Sequence, residues 1–282
     1  MTVGGSAPVA IIAGSGTLPL QVADSAAKAG RKVFVALIAG SADPARYRSF
    51  EHVEFGIGQL GALLRNLKQR GIAEVTLIGG VVRPGLMDIK PDFGLVRHWS
   101  ELVQAYRKGD DGLLNGIVAT LENQGIKVVS ALAISPDLAI TTEGAITNTS
   151  PDSHATKEIA LGLEVMAALS PFDMGQCVVV SGARPVAIEG AEGTDAMLQR
   201  VAEMRRSGRL KREFGGGVLV KAPKLGQNMR TDIPAIGPLT VQHAADAGLQ
   251  GIAIACGQVL VAERDETIKL ANQLGLFIEA RR

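Results

Sequence analysis

Apolar residues first gather at Val9 to Ala13, an unbroken run closed by Gly14-Ser15-Gly16. A short continuous apolar run that ends in glycine is the pattern of a strand buried on both faces of a parallel sheet. From Leu18 to Ala29 the apolar positions take helical spacing, and Gly30 supplies a C-terminal stop. Lys32 to Ala39 predicts a second buried strand, and Gln59 to Gln69 an amphipathic helix ending at Gly71. Glu74 to Ile78 predicts a third strand, which runs into Gly79-Gly80. Helical spacing returns at Gly94 to Arg107 and Asp111 to Gln124, and Lys127 to Ala133 predicts a fourth strand. Strands alternating with helices through short loops predict a parallel sheet covered by helices on both faces. The class is therefore α/β, with a Rossmann-like parallel-sheet N-terminal domain over residues 1–135.

The pattern breaks at residues 136–153, where Thr, Ser, Pro and Asn accumulate without period, as an inter-domain connection would. A distinct C-terminal α/β domain is expected over 154–282, opening with a helix from roughly Asp152 to Leu169. Its expected strands are Cys177 to Val180, Pro185 to Ile188, Gly217 to Lys221, Gly251 to Ala255 and Gln258 to Val261. Its expected helices are Thr194 to Arg206, Leu239 to Gly248 and Arg264 to Leu274.

Composition narrows the function classes. At 282 residues and 46% hydrophobic the chain can fill two cores. Aromatics are 4% and net charge is +1, so neither stacking platforms nor a basic face for nucleic acid is expected. Cys177 and Cys256 lie far apart in apolar runs and read as reduced core residues. The N-terminus lacks a cationic region followed by a long apolar one, and no apolar run reaches transmembrane length. A cytoplasmic protein is expected, with a transient contact at a membrane surface still compatible with it. His52, His98, His154 and His243 show no metal-ligand spacing.

Gly14-Ser15-Gly16 falls past the carboxyl end of a strand, where open parallel sheets bind ligands and glycines let a phosphate approach the backbone. Three readings stand for it: a bare tight turn, a nucleotide or phosphate contact, and a dinucleotide fingerprint. Against the last, the third glycine position is Pro19, and no acid closes the second strand. Gly79-Gly80, with Arg83 nearby, is a second loop of this kind.

Three acidic places carry candidate chemistry. Asp110-Asp111 precedes a helix and suits an N-cap or, as a pair, a divalent cation. Gly193-Thr194-Asp195 opens another helix, either as cap and first-turn acid or as a phosphate site with Asp195 on a metal. The stretch KLGQNMRTDIPAIGP, Lys224 to Pro238, fixes one acid between rigid glycine and proline corners. Arg230 and Asp232 form either a simple ion pair or part of a site. In the second case Lys221, Lys224 and Arg230 neutralise phosphate oxygens while Asp232 holds a metal or orients water.

IIAGSGTLP, GGVVRP, GDDGLL, EGTDAML and GQNMRTDIPAIG occur in that order. Together they resemble the two-domain UDP-2,3-diacylglucosamine diphosphatase family of lipid A biosynthesis, over nearly the whole chain. The resemblance implies ligand between two domains and magnesium-dependent hydrolysis of UDP-2,3-diacylglucosamine to UMP and 2,3-diacylglucosamine 1-phosphate (lipid X). It implies Asp232 as the catalytic carboxylate and Asp232 with Asp195 as Mg2+ ligands. Substrate contacts are then expected at Gly14, Ser15, Gly16, Leu18, Gly79, Gly80, Arg83, Gly193, Thr194, Lys221, Gln227 and Arg230. Acyl chains need apolar surface, for which Leu86, Met87 and Phe93 are candidates. The chain departs from the family at Asn228, usually Asp, and at Leu225, often Pro. A homodimer and a peripheral inner-membrane contact complete the expectations. A nucleotide-sugar sensor without turnover and an NAD-dependent oxidoreductase are the competing functions.

Overall fold

The computed structural model describes residues 7–81, 110–172, 174–211 and 216–282, without the side chains of residues 110, 111 and 113. The helix expected at Gly94 to Arg107, and Arg83, Leu86, Met87 and Phe93, lie outside the described residues. The chain divides into two compact units, Met1–Pro136 and Asp137–Arg282.

The first unit is built on five strands: β1 Val9–Ala13, β2 Val33–Ile38, β3 Glu51–Phe55, β4 Glu74–Ile78 and β5 Lys127–Val128. They lie in the order β3-β2-β1-β4-β5, and every pairing is parallel. The chain reverses its direction of travel across the sheet between β1 and β4, which puts the Gly14 and Gly79 loops side by side. Helices α1 Leu18–Lys28, α2 Leu60–Gln69, α3 Asp110–Asn123 and α4 Ala131–Ile134 complete it. One face of the sheet packs Ala10, Ile12 and Phe34 on Leu63 and Leu67 of α2 and on Val118 and Leu121 of α3. Two expectations are corrected here. Glu51–Phe55 is a strand the hydrophobic pattern missed, because this edge strand is only half-buried and exposes two acids, Glu51 and Glu54. The strand expected over Lys127 to Ala133 stops at Val128, and Ser130 caps α4 by accepting the Leu132 amide at 3.2 Å.

The second unit holds a mixed sheet in the order β6-β13-β11-β9-β7-β8. Its strands are β6 Gly144–Ala145, β7 Cys177–Val180, β8 Pro185–Ile188, β9 Val218–Lys221, β11 Gly251–Ala255 and β13 Phe277–Arg281. β9, β11 and β13 are parallel to one another, while β7, β8 and β6 run antiparallel to their neighbours. A short parallel pair, β10 Ala235–Ile236 and β12 Leu260–Val261, stands apart. The period-2 alternation of strands splits the core. Cys177, Val179 and Leu219 pack with Met197 and Leu198 of α6 Gly193–Arg206, Val241 of α7 Pro238–Asp246 and Ala271 of α8 Arg264–Leu274. Val178, Val180, Val218 and Val220 point the other way, onto Ala155 and Ile159 of α5 Ser153–Leu169. Gly162 lets α5 come close, since a Cβ there would sit 2.5 Å from Val220 Cγ2. Residues 136–153 are not a bare connection. They supply β6, which pairs with β13, and the Ile146 amide donates to the Ile278 carbonyl at 2.9 Å.

Candidate active site

The two glycine loops of the first unit are bonded to each other. The amides of Ser15 and Gly80 each donate to the other's carbonyl, at 2.7 and 3.1 Å, and Ser15 Oγ donates to the Gly80 carbonyl at 3.0 Å. Space explains the glycines: a Cβ on Gly14 would lie 2.4 Å from the Gly80 carbonyl oxygen. Gly79, at φ +99, would bring one 2.7 Å from the Ser15 carbonyl oxygen. Part of the glycine signal is therefore backbone-to-backbone closure. Ser15, Gly16, Gly79 and Gly80 are exposed at the carboxyl end of the sheet, and Leu18, half-buried, begins α1. Arg46 Nη1 donates to the Gly16 carbonyl at 3.1 Å. Asp110 and Asp111 open α3.

In the second unit, the end of β9 and the start of α6 meet on the same face of the sheet. They line an open cavity of about 280 Å³ whose walls are Glu192, Gly193, Thr194, Asp195, Lys221, Ala235 and Thr240. Four expected site residues, Gly193, Thr194, Asp195 and Lys221, are thus brought together. Lys221 is only 6% exposed although it is charged and ends a strand. Its Nζ donates to Thr194 Oγ1 at 2.7 Å, and the Thr194 hydroxyl donates to Glu189 Oε1 at 2.7 Å. Glu189, 9% exposed and just past β8, uses its other oxygen to accept the Gln176 amide at 2.6 Å and the Cys177 thiol at 3.4 Å. Burial pushes the Cys177 thiol up to about 12, so it is a neutral donor.

The loop between β9 and β10 is held by side-chain amides. Gln227 Oε1 accepts the Lys224 amide at 2.7 Å, while Gln227 Nε2 donates to the Asp232 carbonyl at 2.9 Å and to Asp232 Oδ2 at 2.5 Å. Gln176 Nε2 donates to the same Oδ2 at 2.7 Å. Asn228 shapes the turn: its Oδ1 accepts the Arg230 amide at 3.2 Å and Arg230 Nε at 3.3 Å, and its carbonyl accepts the Thr231 and Asp232 amides. Asp232 is not among the residues lining the cavity, and it is joined to Thr194 on that wall through Gln176 and Glu189.

Asp195 Oδ1 lies 3.3 Å from His243 Nδ1 on α7, at an angle that makes no hydrogen bond. Glu192, on the cavity rim, is held below the usual carboxylate range by its own backbone amide and by Arg200 at 2.7 Å. Sequence reasoning missed Glu189, Gln176 and His243. The signal for Glu189 was an acid ending the apolar run PVAIE at a strand's carboxyl end. Gln176 and His243 carried none, because their neighbours are distant in sequence.

The family model described as the LpxI N-terminal domain matches residues 8–138, and that described as the LpxI C-terminal domain matches residues 142–279. A UDP-2,3-diacylglucosamine pyrophosphatase LpxI from Caulobacter vibrioides is 36% identical over 268 residues, 95% of each chain. Among solved structures, a GalE-like L-threonine dehydrogenase from Cupriavidus necator aligns over 97% of this chain and 86% of that one, at 11% identity and a TM-score of 0.33. A partial-consensus L-threonine 3-dehydrogenase aligns over 94% and 88%, also at 11% and 0.33. Likeness that low carries neither fold nor activity to this chain.

Proposed function

This chain belongs to the LpxI family, and on that premise we propose that it hydrolyses the diphosphate of UDP-2,3-diacylglucosamine to UMP and 2,3-diacylglucosamine 1-phosphate. The observation that carries the reading within the molecule is a buried lysine, Lys221, lining an open polar cavity at the start of a helix. A diphosphate needs its charge neutralised before water can attack, and positioning with charge neutralisation supplies most of the rate in such chemistry.

In this reading Lys221 and the exposed Arg230 bind the diphosphate oxygens, with the positive end of α6 favouring the same charge. Asp232, oriented by Gln176 and Gln227, takes a proton from the attacking water. An O–P bond forms to that water as the bridging P–O bond breaks, and the leaving phosphate carries away the electron pair. Taken by themselves, the glycine loops of the first unit, with Leu18, suit a nucleotide or phosphate contact.

Magnesium is bound through one or two carboxylates, with waters and substrate phosphates completing the octahedron. Among the described residues no group of three or more His, Cys, Asp or Glu could hold a metal. In this reading Asp195, which lines the cavity, and Asp232, which does not, would each offer one carboxylate, with phosphate and water completing the ion. Bound there, the ion would neutralise diphosphate charge and acidify water.

Product analysis tests the reading. The purified chain is incubated with UDP-2,3-diacylglucosamine in magnesium and, separately, in EDTA. UMP and the acylated sugar phosphate are expected in magnesium alone. UMP in EDTA would retain the hydrolysis and remove the metal. Binding without UMP in either would replace the enzyme with a sensor.

A further inference from the structure

The candidate chemistry stands on two groups, Lys221 and Asp232, which belong to different segments and do not share a wall of the cavity. One buried carboxylate is bonded toward both. Glu189 Oε1 accepts from Thr194, which accepts from Lys221; Glu189 Oε2 accepts the backbone amide of Gln176, whose side chain donates to Asp232. We infer that Glu189 is the positioning residue of this site, setting the lysine through Thr194 and the aspartate through Gln176.

The direction of each bond is fixed by chemistry. An ammonium has only donors and a carboxylate only acceptors, so the single Thr194 hydroxyl hydrogen must face Glu189. The hydroxyl therefore cannot rotate without breaking one contact, and Lys221 Nζ is held by an oxygen with one allowed orientation. On the other arm, the Gln176 backbone is pinned at the entry to β7 by Glu189 Oε2 at 2.6 Å, which fixes the origin of the side chain that reaches Asp232. Glu189 is itself locked: its amide donates to the Cys177 carbonyl at 3.0 Å and its carbonyl accepts the Gly175 amide at 3.0 Å. A cation and an anion both more than nine-tenths buried or at that limit, joined through one hydroxyl, also compensate each other's desolvation.

Glu189→Gln distinguishes this role from a packing role. The amide keeps the shape but offers one acceptor oxygen where the carboxylate offers two, so an N–H must face either Thr194 or the donors of Gln176 and Cys177. Thr194→Val cuts only the lysine arm, and Gln176→Ala only the aspartate arm.

The inference rests on the diphosphatase reading for what Lys221 and Asp232 do, so the test reads both turnover and binding. With UDP-2,3-diacylglucosamine, Thr194→Val is expected to raise KM and Gln176→Ala to lower kcat, each by about tenfold, with Glu189→Gln doing both. Adding Thr194→Val to Glu189→Gln should raise KM little further, since the same contact is already lost. UDP affinity by calorimetry should fall in Thr194→Val and Glu189→Gln. A folded Glu189→Gln with kcat and KM within about twofold of the parent overturns the inference, whatever its Tm. If that variant does not fold, silent kinetics in both Thr194→Val and Gln176→Ala overturn it. A parent chain that binds UDP yet releases no UMP removes the diphosphatase reading instead; unchanged UDP affinity in the variants then overturns the lysine arm independently.

Discussion

At the scale of the residue, Asp232 is held by two side-chain amides that converge on one carboxylate oxygen. In the proposed mechanism Asp232 is the base as well as a tie within its loop, and replacing it separates the two. Asp232→Asn keeps the size and one acceptor but removes the base, so turnover should fall by a hundredfold or more, to about the limit general-base loss allows, with UDP binding retained. Turnover within about tenfold of the parent would remove Asp232 from the chemistry. Gly79 makes the opposite case, a residue chosen for what it lacks. At φ +99, with Ser15 and Gly14 backbone atoms 2.7 and 2.8 Å from any Cβ, Gly79→Ala meets both strain and overlap. A loss of about 2 kcal/mol or more is expected in chemical denaturation. The loops that carry these two residues were legible in the sequence because glycine and proline punctuation marks rigid loops. Glu189 was not: one acid at a strand end looks the same whether it faces solvent or a buried threonine, and only the fold brings Thr194, Cys177 and Lys221 to it.

At the scale of the element, buried strands were read from unbroken apolar runs, and Val9–Ala13, Cys177–Val180 and Gly251–Ala255 stand where the pattern put them. Two longer strands whose apolar residues are broken by charge were lost. Glu51–Phe55 exposes Glu51 and Glu54 on a half-buried edge, and Phe277–Arg281 interrupts its apolar residues with Glu279 and Arg281. Periodicity reports burial, so the half-buried Glu51–Phe55 leaves little trace, while Phe277–Arg281 is buried but masked by the buried acid Glu279. The β7–β8 hairpin shows another hidden device. Glu158 of α5 is 3% exposed and accepts the Gly182 amide at 2.8 Å in the turn, where Ala183 takes φ +58. Burial raises its pKa, against the lowering pull of the Ala183 and Gly182 amides; Asp152 raises it further and His154 lowers it. The folded state then keeps the proton that the unfolded chain releases in the ordinary carboxylate range. Stability should fall as pH rises from that range through the folded pKa, and stay lower above it. Thermal melts from pH 4 to pH 8 should show this slope, and Glu158→Gln should flatten it. An unchanged slope in Glu158→Gln would assign the pH dependence to other groups.

At the scale of the whole molecule, each compact unit owns its core. The cluster around Phe34, Leu67 and Leu121 belongs to Met1–Pro136, and those around Met197 and Ile159 to Asp137–Arg282. The cavity, the Glu189 network and the loop bearing Asp232 all fall within the second unit. A domain of roughly 150 residues buries about 70% of its unfolded surface, enough to fold alone. Residues 136–153 decide where such a fragment must begin, because β6 covers the edge of β13 and the Gly257 amide donates to the Ile140 carbonyl at 2.7 Å. A fragment starting at Asp137 should therefore melt in one cooperative transition, while one starting at His154 should lose stability by exposing the β13 edge and the Ile140 contact. Calorimetry on the two fragments checks this directly. Equal melting temperatures would mean that residues 137–153 contribute nothing to the sheet they border. A broad, non-cooperative transition in the longer fragment would mean that its core does not close without the first unit.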